Sequence, residues 1–200
     1  DLFYLRFLFA LPMLLLFAYY NNKGVFLAKI FDIDILKLTI LAGIFGYYLA
    51  TLLDFHALSL IDANISRVIL YIFPIFVIII NSCITKKILS YKNIFIFFLA
   101  FFAVFLTLGG LDINTTSFNI KGGVLSLLAA ISYAIYIIIN NKTSSRIGSS
   151  LFTLMAVFFS FIFISLHYFV FTQEKAIANI SSQGWLIVAS MSLFCTFLPL

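Results

Sequence analysis

The stretch LLDFHALSLIDANISRVILYIFP, residues 52–74, decides the fold of this 200-residue chain. Two apolar runs meet in it, and Asp54, Asp62 and Arg67 lie at the junction, with Pro74 after them. Charges among apolar residues cost free energy unless they are paired, solvated or neutralised. Their role therefore depends on the solvent that the rest of the chain requires.

The composition indicates that this solvent is a lipid bilayer. Hydrophobic residues make up 64% of the chain and charged residues 10%, whereas soluble domains average about 45–50% and about 25%. A globule of this size still exposes much of its surface, so it could not hide so much apolar area from water. The net charge of +5 comes from Lys and Arg scattered through loops. Because they form no basic stripe, nucleic acid is not an expected partner.

The pattern of apolar runs predicts an all-α polytopic membrane protein. A membrane helix needs roughly 20 mostly apolar residues, and none of the runs shows the two-residue alternation of a barrel strand. Seven transmembrane helices are predicted, at residues 2–20, 38–58, 65–84, 93–110, 122–140, 151–171 and 185–200.

The distribution of positive charge predicts the orientation of these helices. Loops 21–37, 85–92 and 141–150 carry eight Lys and Arg, and the loops of the opposite side carry two. Positively charged loops stay in the cytoplasm, so we expect these three loops to be cytoplasmic. The high content of Ile, Phe, Asn and Lys is typical of an AT-rich genome, which favours a multi-pass protein of the bacterial inner membrane.

Two of the predicted spans resemble each other. LFYLRFLF at the start of the first span aligns with LFTLMAVF at the start of the sixth, and four positions are identical. A repeat of five helices has an odd number of crossings, so its second copy would be inverted, as in many transporters. The identical pairs are Leu2 with Leu151, Phe3 with Phe152, Leu5 with Leu154, and Phe9 with Phe158.

The run from Phe55 to Gly110 resembles the EamA repeat of the drug/metabolite transporter superfamily. That repeat has an aromatic–x–Ala–Leu segment, a short turn, small residues at a helix start, a proline, a charged cytoplasmic turn and a helix closing on glycine. Many relatives carry an acidic residue in the cytoplasmic turn, where this chain has two lysines. The matching residues are Phe55, Ala57, Leu58, Ala63, Ser66, Pro74, Lys86, Lys87, Gly109 and Gly110.

The resemblance implies a ten-helix bundle of two inverted five-helix repeats, of which this chain is a fragment covering helices two to eight. Residues 1–110 would be the remainder of the first repeat, with four helices. Residues 111–121 would form an outer linker, and residues 122–200 would start the second repeat, with three helices. The resemblance further implies that the protein is a carrier, which moves a small metabolite or drug-like solute by alternating access.

The expected partners are the lipid bilayer and a small-molecule substrate, with a homodimer left open; no cofactor, metal or catalytic residue is expected. One alternative is a membrane channel or scaffold, although no charged ring or pore loop of a selectivity filter is visible. Another is a membrane-embedded lipid-modifying enzyme, which would need clustered His, Asp, Glu or Cys at the bilayer edge. The resemblance therefore implies a carrier rather than an enzyme. Cys83 and Cys195 lie in apolar runs and are interpreted as small packing residues.

Asp54 is the first candidate site residue. Residues three and four apart share a helix face, which places it on one stripe with Gly43, Gly46, Tyr47 and Ala50. Small residues let helices approach closely, so this stripe should face protein rather than lipid. Arg67 begins the next antiparallel helix at a similar depth. We expect an ion pair at the outer rim of a central cavity, acting as an external gate or a proton-linked site, or serving only to hold the hairpin.

Further cavity candidates lie on the helix of Arg67. Tyr71, Pro74 and Asn81 share its face, and a proline within a helix frees a carbonyl and bends the chain. On the fifth span the candidates are four residues that fall close to one face, namely Ser126, Tyr133, Tyr136 and Asn140.

Each of the remaining polar residues has at least one simpler interpretation that does not require a transport site. Arg6, near the outer end of the first span, either extends to the headgroups or faces the cavity. Asp62 is interpreted as a solvated turn residue or a helix cap. His56 and His167 are interpreted as interfacial, since their surroundings lack the ligand spacing of a metal site.

Overall fold

The computed structural model describes residues 2–21, 32–86, 91–107, 119–171 and 182–192, and every regular element in them is helical. The predicted all-α class is therefore confirmed. A π-helical segment, Gly43–Leu49, joins α2 to α3 without a break. The helices are α1 (Leu2–Asn21), α2 (Ile33–Ala42), α3 (Ala50–Leu58), α4 (Ala63–Leu70), α5 (Phe73–Thr85), α6 (Tyr91–Thr107), α7 (Ile120–Ile147), α8 (Ser149–Phe171) and α9 (Ser182–Ser192).

Four helical stretches within these residues are long and apolar enough to cross a bilayer. They correspond to the second, third, fifth and sixth predicted spans, so the chain is a multi-pass membrane protein. Helices α1, α6 and α9 lie where the other three spans are predicted; that these cross the membrane stays a prediction, as does the ten-helix architecture. The four stretches are Ile33–Leu58, Ala63–Thr85, Ile120–Ile147 and Ser149–Val170.

The helices extend beyond the predicted spans, and most of the segment predicted as loop 141–150 is helical, while its cytoplasmic location stays a prediction. Helix α7 continues to Ile147 and α8 begins at Ser149. Gly148 separates them with φ of +87°, and its N–H donates to the carbonyl of Ser144 at 2.8 Å. Glycine ends a helix in this left-handed conformation without steric cost. Backbone hydrogen bonds do not require apolar side chains, so a helix can continue past the hydrocarbon layer into water.

The start of α2 shows the same effect. The carboxylate of Asp32 caps the helix, because its Oδ1 accepts the N–H groups of Asp34 (3.1 Å) and Ile35 (3.4 Å). Such a side-chain acceptor satisfies donors that the first helical turn leaves free. The helix therefore begins at Ile33 and includes Lys37, within the residues predicted as a loop. The predicted cytoplasmic loop 85–92 is likewise shortened, since α6 begins at Tyr91.

The third span is interrupted near its proline, as predicted. Helix α4 ends with the N–H of Tyr71 donating to the carbonyl of Arg67 at 3.0 Å. Pro74 lies in the first turn of α5 and has no N–H with which to bond the carbonyl of Leu70. The intervening Tyr71–Ile72 turn is closed by a bond from Ile72 to Ile69 at 3.1 Å.

The chain divides into two compact units, Leu49–Ile138 and a second made of Asp1–Tyr48 with Ile139–Leu200. The division into repeats at residues 110 and 122 is a different partition and stays a prediction. Apolar side chains of α1, α2 and α8 form the buried core of the second unit. Its buried members are Phe7, Ala10, Ile35, Leu151, Leu154, Met155, Val157 and Ile164.

Backbone contact between α2 and α8 holds that core together. A Cβ atom placed on Gly43 would lie 2.6 Å from the carbonyl oxygen of Ala156, so the predicted protein-facing stripe is confirmed at this residue. Further along both helices, the hydroxyl of Tyr48 lies 2.9 Å from Nδ1 of His167. From the first contact to the second, the residue number rises in both helices, which means that the two helices run in the same direction. The predicted order of crossings requires this, because three spans lie between the second and the sixth, and spans whose numbers differ by an even count run in the same direction.

Candidate functional site

A short turn between α3 and α4 builds the candidate site in the unit Leu49–Ile138. Helix α3 ends at Leu58, and Asp62 begins α4 as its cap, with Oδ1 accepting the N–H of Asn64 at 2.8 Å. The predicted role of Asp62 as a helix cap is confirmed. Because so few residues separate the helices, the last turn of α3 lies beside the first turn of α4.

This arrangement brings together the two charges that the sequence predicted to meet. Nη2 of Arg67 donates to Oδ2 of Asp54 at 3.0 Å. The Asp54 side chain is 14% exposed and that of Arg67 is 41% exposed. A half-exposed ion pair contributes little net stability, but the more buried carboxylate would be costly to leave without a partner. The pair can therefore separate more easily than a fully buried one, provided that Asp54 finds another donor.

Two buried serines extend the ion pair to a third helix. The hydroxyl of Ser66 on α4 donates to Oδ1 of Asp54 at 3.3 Å. The same hydroxyl lies 2.9 Å from that of Ser126 on α7, and both serines are fully buried. The sequence had marked Ser126 as a cavity candidate, but it had marked Ser66 only as a small residue at a helix start and had not predicted that the two would meet. We call Asp54, Ser66, Arg67 and Ser126 the polar cluster.

A glycine lets α7 come close enough for this contact. A Cβ atom on Gly122 would lie 2.6 Å from Cγ2 of Ile61 and 3.0 Å from Cβ of Leu60. Gly122 is one helical turn before Ser126, so both lie on the face that packs near the turn between α3 and α4. The small residue one turn before Ser126 therefore allows the close approach of α7 in which this serine reaches Ser66.

The other candidates of this unit have different surroundings. Pro74 lies beside the helix break, and Tyr71 and Asn81 are exposed. The carbonyl of Asn81 accepts the Thr85 hydroxyl at 2.7 Å, as in any helical back-bond. The ring of Tyr133 packs edge-on against Phe73, with centroids 5.0 Å apart. Their role in a cavity stays a prediction.

Arg6 and Asn140 belong to the other unit. The side chain of Arg6 is half-buried, its guanidinium carbon lies 5.9 Å from the ring centroid of Phe7, and its carbonyl accepts the hydroxyl of Ser192 at 2.9 Å. Oδ1 of Asn140 is buried and has no hydrogen-bond partner among the described residues. A buried amide oxygen without a partner is a place where a polar ligand or water would gain a bond.

Three sequence interpretations change or fall outside the described residues. Cys83 is exposed on α5 rather than packed, so that interpretation is wrong. Cys195 lies outside the described residues. His167 is half-buried and bonded to Tyr48, which the interfacial interpretation did not foresee. Among the residues that the structure describes, no three His, Cys, Asp or Glu side chains gather as metal ligands would.

Comparison with known proteins gives a family for the first half of the chain. Residues 1–109 match the model of the EamA-like transporter family. "Uncharacterized transporter YcbK" of Bacillus subtilis (strain 168) is 33% identical over 107 residues, which cover 54% of this chain and 34% of that protein. An "Uncharacterized transporter" of Buchnera aphidicola subsp. Schizaphis graminum (strain Sg) is 26% identical over 192 residues, 96% of this chain and 62% of that protein. The chain thus spans between about a third and three fifths of these relatives. No solved structure matches it significantly.

Proposed function

We propose, from the premise that this chain belongs to the EamA-like transporter family, that it carries a small metabolite or drug-like solute across the bacterial inner membrane by alternating access. The observation that carries the proposal is the family match over residues 1–109. Two bacterial relatives named as transporters support it. The proposed architecture is the ten-helix bundle of inverted repeats, in which a solute site lies between the repeats.

The proposal assigns an external gate to Asp54 and Arg67. The pair joins two consecutive helices at their connecting turn, and the Arg67 side chain is 41% exposed. The break at Tyr71–Ile72 follows Arg67 by one helical turn, so α4 can tilt without unravelling α5. Opening then exchanges one ion pair for hydration of the half-exposed Arg67 and for new contacts to Asp54, whose 14%-exposed side chain needs another donor.

A channel or scaffold, and less so a lipid-modifying enzyme, are the alternative functions. The three classes differ in how solute movement depends on concentration. A carrier saturates and exchanges solute across the membrane, a channel conducts without exchange, and an enzyme changes its substrate chemically.

Counterflow in proteoliposomes separates these classes. The full-length protein is reconstituted, the vesicles are loaded with one unlabelled compound of a panel of amino acids and nucleosides, and uptake of the same compound in radiolabelled form is followed. We expect a transient, saturable overshoot with at least one compound of the panel. Uptake that never exceeds equilibrium for any of them would contradict the carrier reading.

Charge-removing variants then test the gate. Asp54→Asn and Arg67→Ala should change the counterflow rate several-fold, because each removes one half of the ion pair. Asp34→Asn is the matched control, since Asp34 is an exposed carboxylate in the first turn of α2. If both gate variants transport as the unmodified protein does, the pair is only structural.

A further inference from the structure

The polar cluster holds a chain of hydrogen bonds whose direction follows from proton counting. An ionised carboxylate only accepts, and a serine hydroxyl carries one proton. Since Ser66 gives its proton to Oδ1 of Asp54, its oxygen can only accept from Ser126 at 2.9 Å. The hydroxyl of Ser126 is therefore the first donor of a chain that ends on the carboxylate, which Arg67 binds through its other oxygen.

Burial makes this chain sensitive to each of its members. Ser66 and Ser126 have no exposed surface, so water cannot readily replace a lost hydroxyl partner. A buried polar group without a partner costs more than the bond contributes when it is formed. Both oxygens of Asp54 are thus held from α4, Oδ1 through Ser66, which Ser126 of α7 supports, and Oδ2 through Arg67.

We infer that Ser126 is a positioning residue for the Asp54–Arg67 pair. Through Ser66 it orients the carboxylate toward the guanidinium, and it ties separation of the pair to movement of α7. The role rests on the gate proposed above. It assigns to Ser126 a task beyond simple helix packing, because its effect should disappear when Asp54 is absent.

Chemical accessibility of a buried site measures separation of the pair without any solute. Ala130 lies one turn beyond Ser126 on α7 and is fully buried. An Ala130→Cys variant, with Cys83 and Cys195 replaced by serine, is treated with a membrane-impermeant maleimide in sealed vesicles, and the labelling rate is measured. The Ser126→Thr and Ser126→Val variants are compared in this background. Thr and Val have the same shape, so their difference isolates the hydroxyl.

We expect Ser126→Val to raise the labelling rate about fivefold, the factor that accompanies loss of one ordinary hydrogen bond. Ser126→Thr should stay within about twofold of the unmodified rate. The control is Ser160→Ala, which removes a fully buried hydroxyl that has no hydrogen-bond partner in the described part of the chain, and it should also leave the rate nearly unchanged. In an Asp54→Ala background, the Val and Thr variants should label equally.

Equal rates for Ser126→Val and Ser126→Thr in the presence of Asp54 would overturn the inference, as would an effect of Val that persists fully without Asp54. If Ser126→Val does not accumulate in the membrane, Ser126→Ala takes its place, since alanine also lacks the hydroxyl and adds no thiol that the maleimide could label. The labelling result stands apart from transport. If the protein shows counterflow but the Ser126 variants label at the unmodified rate, only the positioning role of Ser126 is refuted. If the Ser126 variants label as expected but the protein shows no counterflow, only the carrier function is refuted.

Discussion

Replacing Gly43 with alanine tests the packing of α2 on α8. The added Cβ would lie 2.6 Å from the carbonyl oxygen of Ala156, 3.0 Å from the backbone nitrogen of Ser160 and 3.3 Å from Cβ of Phe159. A carbon normally stays about 3.3–3.6 Å from a carbonyl oxygen, so the helices must part by roughly 0.7–1 Å. A gap of that size forfeits about a quarter to a half of each affected dispersion contact.

The expected loss of stability follows from two opposing terms. Overpacking costs about 1–3 kcal/mol, and exchanging glycine for alanine in a helix returns roughly 0.5–1 kcal/mol. Because the nearest atoms are backbone atoms that cannot rotate away, we expect a net loss of about 1–2 kcal/mol. For a chain of this size that corresponds to a fall in Tm of roughly 2–8 °C, measured by circular dichroism of the purified protein in detergent.

Gly122→Ala is the matched control for this prediction. Its Cβ would also meet a first neighbour at 2.6 Å, but that atom is Cγ2 of Ile61, a side-chain methyl rather than a backbone atom, and the next neighbour is Cβ of Leu60 at 3.0 Å. We therefore expect Gly122→Ala to lower Tm by less than half as much. A Gly43→Ala variant that melts at or above the unmodified protein, or that is less affected than Gly122→Ala, would refute the reasoning.

Three further variants test the contacts that hold the helices. Tyr48→Phe removes the hydroxyl at 2.9 Å from His167 and should lower the free energy of unfolding by about 1 kcal/mol. In a double-mutant cycle with His167→Phe, the two losses in unfolding free energy should not add. Simple additivity would exclude the bond. Arg67→Ala should lower Tm more than Asp54→Ala, because it leaves the charge of Asp54, whose side chain is 14% exposed, without its ionic partner, whereas the side chain of Arg67 is 41% exposed. The reverse order would contradict the burial argument. Pro74→Ala restores a backbone donor and should close the helix break. Amide hydrogen exchange around the break should therefore slow by about fivefold, the effect of one hydrogen bond. Unchanged exchange would show that other contacts maintain the break.

Local patterns were sufficient for the part of the site that lies within one hairpin. Asp54 and Arg67 are 13 residues apart, and a short turn between two helices leaves little choice about which of their turns meet. The same locality explains why Asp62 as a cap and Pro74 as a break could be predicted, since both act on backbone groups within four residues of themselves.

Sequence periodicity was insufficient for the helix lengths and for the course of the second span. Hydropathy measures how much of a helix is apolar, so it missed the polar end of α7 that continues to Ile147. The stripe from Gly43 to Asp54 was drawn on an uninterrupted α-helix, but residues 43–49 form a π-helical segment with wider turns. Gly43 accordingly packs on α8 and Asp54 bonds to α4, so the two do not share one partner helix.

By itself, the sequence determined that this protein is helical, crosses the membrane several times and carries an ion pair at one hairpin. Composition and local spacing suffice for these because the bilayer leaves few ways to satisfy backbone groups. Only the tertiary structure decided that Ser126 reaches Ser66 across 60 residues and that Tyr48 reaches His167 across 119. Such bonds depend on how closely distant helices approach, which small residues such as Gly122 and Gly43 permit but whose partners no local pattern specifies.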